Sequence, residues 1–379
     1  MIGSIIGDIV GSIYEVEEVN AIKTKEDKKR DYSERIKILD DNVSLFSELS
    51  TYTDDTALTC AIADAVINNK DYEKCLREYG LRELSLGLDK YGRSRFGKGF
   101  VSWLKNNKVG DSYGNGSAMR ISSIGFLYDD IETIKNEVFK ATIPSHNNDE
   151  AIKGAEAVAI TIFLARNGKT KEEIKDYIEN NYYNLDYDLE DLQRNYRFKS
   201  NCNDSVPQAI FCFLESNGFI DAIRKSISIG GDSDTIACIV GGISEAYYGV
   251  PTYLKNEIYK YIPLYMALIV KQFYLKRIFL DYINEDYRYN KQFIEYIKEH
   301  IKILDYESSG KCGCFEDRID GKLVDFELVV PKLLNKNAVL INIKEYCKAM
   351  DLYSELEFEL NIKNKNNGKK LIKDKKDEE

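Results

Sequence analysis

Histidine is nearly absent from this sequence, with two in 379 residues. A tetrahedral zinc site needs four nitrogen or sulfur ligands close together, and the eight cysteines do not make up the deficit. They lie scattered at 60, 75, 202, 212, 238, 312, 314 and 347. Cys312 and Cys314 are the one close pair, and a lone C-x-C is weak evidence for metal or redox chemistry. Most of the others sit in apolar helical stretches and read as reduced packing residues of a cytosolic protein. Positive charge is short as well: 53 Lys and Arg face 63 Asp and Glu, for a net charge of −10. Coating nucleic acid by neutralising phosphates is therefore not the default expectation, and a nucleic-acid acceptor is not indicated. Long apolar runs are missing too. The stretch from Tyr261 to Val270 is about half of the roughly 20 residues that span a bilayer. The opening MIGSIIGDIVGSIYE has no basic leader and carries Asp8, so neither a signal peptide nor a membrane anchor is expected, and the expected location is cytoplasmic.

Strand patterns are almost absent before residue 300. What is present is helical periodicity and enough hydrophobic content, 44%, for one large core and a smaller module. EAIKGAEAVAITIFLARNG (150–168) places Ile152, Ala155, Ala159 and Ile162 along one face, with small residues that permit close packing. Further helices are expected at roughly 2–13, 55–68, 71–86, 131–141, 171–180, 206–215, 219–228, 234–248 and 252–261. After 300 the period changes. Val324, Phe326, Leu328 and Val330 alternate with polar positions, as do Leu356, Phe358, Leu360 and Ile362, with Ala338 to Ile343 between them. The expected organisation is an all-α domain over 1–262, a helical linker with a small mixed α+β module over 263–362, and a solvated Lys- and Asn-rich tail over 363–379. The charged insert NAIKTKEDKKRDYSER (20–35) reads as a surface loop.

Two segments share a construction. Thr53, Asp54, Asp55 and Thr56 precede one apolar helix; Gly230, Gly231, Asp232, Ser233, Asp234 and Thr235 precede another. N-capping is the bland explanation, since Asp, Ser and Thr accept from the free N–H groups of a first turn. Capping needs only one such residue. Adjacent aspartates beside apolar helices repel one another and are costly to bury, which points to a compensating cation. An all-oxygen ligand set suits hard ions such as Mg²⁺ or Mn²⁺. Two ions sharing aspartates could orient a substrate diol and activate water.

With these residues in view, the chain resembles the ADP-ribosylglycohydrolase family, the ADP-ribosyl-acceptor hydrolases that include the dinitrogenase reductase-activating glycohydrolase. The blocks GDIVGSIYE (7–15), TDDT (53–56), GNGSAMR (114–120) and GGDSDT (230–235) match in that order, with a looser match at SHNNDEAIKGAEA (145–157). Together they cover about residues 1–262. The resemblance implies a compact orthogonal multi-helix fold and hydrolysis of the glycosidic bond between ADP-ribose and an acceptor, a protein side chain or a small molecule. It implies that Thr53, Asp54, Asp55, Asp232, Asp234 and Thr235 hold two Mg²⁺-like ions that grip the ribose diol. Asp55 and Asp232 are thereby part of the catalytic set.

By the same resemblance Glu15 is an acid/base candidate above the ions, although Glu17 and Glu18 nearby make an ordinary surface acid the competing reading. Gly114, Asn115, Gly116 and Ser117, with Met119 behind them, are expected to meet the diphosphate through a helix start at AMRISSIGFL. A tight interhelical turn is the structural alternative. His146 matches a histidine near the ligand phosphates, whereas Asn148 stands where relatives tend to carry a second histidine. Tyr113, Tyr91 and Phe96 are candidates for gripping adenine, with core packing the plainer reading. Two other functions fit the same residues: a non-catalytic ADP-ribose-binding module and a Mg²⁺-dependent phosphohydrolase.

Overall fold

The computed structural model describes residues 1–15, 32–89, 92, 94–106 and 108–284, and beyond them only four two-residue strands. The chain divides into two compact units, Met1–Val270 and Lys271–Glu379. In the second, Arg318–Ile319 pairs antiparallel with Lys322–Leu323, and Glu327–Leu328 pairs with Ile341–Asn342. Leu328 and Ile341 fall in segments expected to be strands. The expected strand at 356–362, the tail, residues 20–31, Tyr91 and Cys312, Cys314 and Cys347 lie outside the described residues.

The described part of the first unit is all helical apart from isolated bridges. Its helices are α1 (Ile2–Gly11), α2 (Asp54–Asn68), α3 (Tyr72–Ser85), α4 (Lys98–Lys105), α5 (Gly116–Met119), α6 (Ser122–Leu127), α7 (Ile131–Thr142) and α8 (Asp149–Arg166). There follow α9 (Lys171–Asn181), α10 (Leu189–Asn195), α11 (Val206–Leu214), α12 (Phe219–Ser228), α13 (Ser233–Tyr248), α14 (Thr252–Glu257) and α15 (Leu264–Asn284), which runs into the second unit. Six of them begin where a short polar side chain caps the first turn. Asp71 accepts from the Lys74 N–H, Asp130 from Thr133 and Asn148 from Glu150, while Thr170 and Glu173 form a reciprocal capping box.

Three features differ from the sequence expectation. The helix expected around AMRISSIGFL is broken into α5 and α6 at Arg120, whose fully buried guanidinium turns back to Ala141 O and Ser145 Oγ. α4 and α10 are short, eight and seven residues, and were not expected. The expected helix at 252–261 stops at Glu257 and tightens into a 3₁₀ turn over Ile258–Lys260.

Two close-packed seams position the site. α1 is buried on every side and lies against α13 through glycines. A methyl group at Gly7 would stand 1.9 Å from Ala237 O, and one at Gly3 would stand 2.1 Å from Gly241 O. The backbones therefore touch, and the end of α1 is pinned beside the start of α13. α8, nearly encircled, packs on α6, α7 and α13. Gly7→Ala should destabilise the protein by about 3 kcal/mol or more, because neither helix can withdraw without opening the core. Chemical denaturation would show it, and a ΔΔG below about 0.5 kcal/mol would mean that the seam yields.

Candidate active site

The α1–α13 seam brings together three chain segments far apart in sequence. Asp8 lies on α1, Thr53 to Thr56 open α2, and Asp232 to Thr235 open α13. Asp8 is fully buried and is the hub. Its Oδ2 accepts from the N–H groups of Thr53 and Thr56, both at 3.0 Å, and from the Thr56 hydroxyl. Its Oδ1 accepts from the Thr53 hydroxyl at 2.7 Å. Thr53 is also the N-cap of α2, accepting from the Asp55 N–H at 3.2 Å. Asp8 thus locks the start of α2 onto α1, which an N-cap alone would not do.

Carboxylates then crowd into one buried volume. Oxygens of Asp8, Asp55 and Asp234 lie within 4.8 Å of one another, and so do oxygens of Glu15, Asp232 and Asp234. Asp234 belongs to both groups. Burial, followed by the charge of Asp234, pushes Asp8 up to about 7 and Asp54 up to about 8, and holds Asp55 and Asp232 well above the usual carboxylate range. Four acids are therefore held against ionisation by enclosure and by one shared neighbour. Asp55 Oδ2 accepts from the Thr235 hydroxyl at 3.2 Å, but its Oδ1 is buried with no hydrogen-bond partner among the described residues. An orphaned carboxylate oxygen, an all-oxygen donor set and mutual repulsion fit a hard divalent cation.

The glycine loop closes one side of this cluster. Asn115 donates its side-chain N–H to Asp232 Oδ2 at 2.8 Å and to Ser205 Oγ at 3.1 Å, fixing the loop to the start of α13. Met119 lies beneath, with its sulfur 3.8 Å from Thr235 Oγ1. Ser117 is turned into the core, donating to Ala151 O at 2.9 Å, so its hydroxyl ties the loop to α8. The Gly116 and Ser117 N–H groups open α5 and have no intrahelical partner. His146 is buried against the same glycines, with Nε2 3.2 Å from where a Gly116 methyl would be. Burial, then Arg120, drives its pKa well below the ordinary value, so the ring is neutral.

Two cavities flank these groups. One, of about 220 Å³, is lined by Glu15, Thr53, Asp54 and Asp234 together with Tyr52, Glu83 and Arg95. The other, of about 290 Å³, is lined by Phe100, Trp103, Ser112 and His146. Glu83, 1% exposed, accepts from Tyr52 at 3.0 Å, from Arg95 at 3.1 Å and from the Tyr265 hydroxyl. Phe96 lines the first cavity and packs on Phe100, whereas Tyr113 is exposed.

An ADP-ribosylglycohydrolase family model matches residues 1–276. The chain belongs to the ADP-ribosylglycohydrolase family. Members of this family are metal-dependent hydrolases acting on ADP-ribosylated substrates. Among individual relatives, the chain is 23% identical over 315 residues to the ADP-ribosylhydrolase ARH3 of Mus musculus, covering 65% of this chain and 82% of that protein. To ARH3 of Homo sapiens it is 24% identical over 320 residues, covering 65% and 84%. An uncharacterized protein, YegU, of Escherichia coli is 28% identical over 153 residues, covering 36% and 44%. Of the solved structures, an ADP-ribosylglycohydrolase-related protein complex superposes with a TM-score of 0.48 at 16% identity, covering 70% of this chain and 93% of that one. No helix among the described residues is long and apolar enough to cross a membrane.

Of the expected site residues, the structure gathers Glu15, Asp55, Asp232 and Asp234 into the two carboxylate groups, with Thr53 and Thr235 bonded to their members. Asp54 lines the cavity but falls in neither group. Asp8 and Glu83 were not singled out from the sequence. Asp8 had a signal, as the one acid on an otherwise apolar, glycine-bearing helix. Glu83 had none, being one of several acids on an amphipathic helix.

Proposed function

We propose that this chain hydrolyses the glycosidic bond linking ADP-ribose to an acceptor, using two Mg²⁺ ions, with Mn²⁺ as a substitute, in the carboxylate cluster. The observation that carries the reading is the sharing of Asp234, which lines a cavity, between two carboxylate groups. Asp8, Asp55 and Asp234, with Thr53 and Thr235 bonded to them, would hold one ion, and Asp232 and Asp234 the other. Asp54 would face the cavity beside them. Bound there, the ions supply Lewis acidity and an anchor for the ribose 2′- and 3′-hydroxyls. Asn115 keeps the Asp232 carboxylate turned inward. Glu15, half-buried beside Asp232 and Asp234, would transfer the proton between the attacking water and the acceptor atom. The loop from Gly114 to Ser117 would meet the diphosphate through backbone N–H groups, with Met119 packed below and His146 beside it. The cavity with Phe100 and Trp103 then accommodates the adenosine half. The acceptor would leave past Tyr52, Glu83 and Arg95, and an ADP-ribosylated protein or small molecule would fit this route.

Glu15→Gln tests the assignment. It should bind ADP-ribose in Mg²⁺ within about threefold of the wild type, while kcat falls on the order of 10²-fold to 10⁴-fold. Calorimetry and single-turnover release would measure the two. An unchanged rate would remove Glu15 from proton transfer.

A further inference from the structure

A buried cation stands next to the glycine loop with no anion to pair with among the described residues. Arg120 is 0% exposed, and its Nε and Nη1 have no hydrogen-bond partner among the described residues. Its Nη2 donates to Ala141 O at 3.1 Å and to Ser145 Oγ at 2.9 Å. Ser145, itself 3% exposed, lies 2.8 Å from His146 Nδ1. Because a guanidinium can only donate, Ser145 Oγ must accept from Arg120. Among the described residues the hydroxyl has no acceptor for its own proton other than His146 Nδ1. That nitrogen therefore accepts, and in a neutral imidazole the proton then sits on Nε2.

The backbone holds this arrangement in place. Gly110 N–H donates to Pro144 O at 2.9 Å, Asn147 N–H donates to Gly110 O at 2.8 Å, and Asp111 bridges to His146. A methyl group at Gly110 would stand 2.3 Å from Ser145 O, so this approach also requires glycine. The ring edge points at Gly116 and Gly114, where methyl groups would lie 3.2 Å and 3.7 Å from Nε2. His146 Nε2 has no hydrogen-bond partner among the described residues, and His146 lines the 290 Å³ cavity.

We propose that Ser145, held by Arg120, is a positioning residue that fixes the His146 imidazole with its proton on Nε2 and so presents one neutral N–H donor to an anionic ligand on the Gly114–Gly116 loop. The choice of a diphosphate as that anion rests on the function proposed above; the tautomer assignment does not. A neutral donor aimed by a buried guanidinium gives direction to the contact, and the Arg120 charge behind it favours an anion without meeting it.

The chain has only two histidines, so ¹⁵N imidazole spectra of the full-length protein can be assigned by comparison with His146→Gln. In the wild type His146 should carry its proton on Nε2 at neutral pH. Ser145→Ala should give a mixture of tautomers and weaken ADP-ribose binding in Mg²⁺ by about tenfold. Ser145→Thr, which keeps the hydroxyl, should restore both. A wild-type proton on Nδ1 would overturn the relay, and so would a Ser145→Ala protein with unchanged tautomer or unchanged affinity. If the wild type keeps the Nε2 proton and yet does not bind ADP-ribose in Mg²⁺, the ADP-ribose reading fails and the tautomer assignment stands.

Discussion

Asp234→Asn should abolish turnover and at the same time make the metal-free protein more stable. The loss of activity follows from the sharing of Asp234 between both carboxylate groups. Removing its charge weakens both ion sites together, at a cost of several kcal/mol of charge stabilisation, on the order of 10³-fold or more in kcat/KM. The gain in stability follows from the same geometry. Asp8, Asp54, Asp55 and Asp232 each feel the Asp234 charge as their largest electrostatic perturbation after burial. Without ions that charge repels these four carboxylates. Asp55→Ala and Asp232→Ala should also lose turnover, but each leaves one group's other members intact. Melting in EDTA alongside kinetics in Mg²⁺ would separate the effects. An Asp234→Asn protein that is active, or inactive only because it melts early, would contradict the shared-site account.

The second large effect is on pH dependence without ions. Asp8 is raised to about 7 and Asp54 to about 8 in the folded state, against about 3.9 for an unfolded aspartate. Between these limits the folded chain binds more protons than the unfolded one, so stability falls as pH rises. In EDTA the melting temperature should therefore drop from about pH 5 to about pH 8. Mg²⁺ binds the ionised cluster, so in its presence the drop should vanish or reverse. Differential scanning calorimetry in the two buffers would read this, and parallel curves would mean that the ions do not sit among these aspartates.

How much was readable beforehand depended on the range over which each feature is determined. Helices such as Tyr72–Ser85 and Phe219–Ser228 were legible because cap, period and stop signals all lie within the helix and its flanks. The break at Arg120 was not, because its cause is a buried guanidinium reaching Ala141 and Ser145 on another segment. Asp55, Asp232 and Asp234 stood out as adjacent acids at apolar helix starts. Asp8 escaped because its role appears only when Thr53 and Thr56, on another helix, donate to it. The direction of the Ser117 hydroxyl was equally out of reach, because its partner Ala151 is 34 residues away.

The most direct test of the central claim is release of free ADP-ribose from a panel of arginine-, serine- and nucleic-acid-linked substrates, run in Mg²⁺ and in EDTA. The account predicts release from at least one substrate in Mg²⁺, its loss in EDTA, and no inorganic phosphate from ADP-ribose itself. Release that is undiminished in EDTA would contradict the ion-based site. ADP-ribose binding with no release from any substrate would make the chain a binding module.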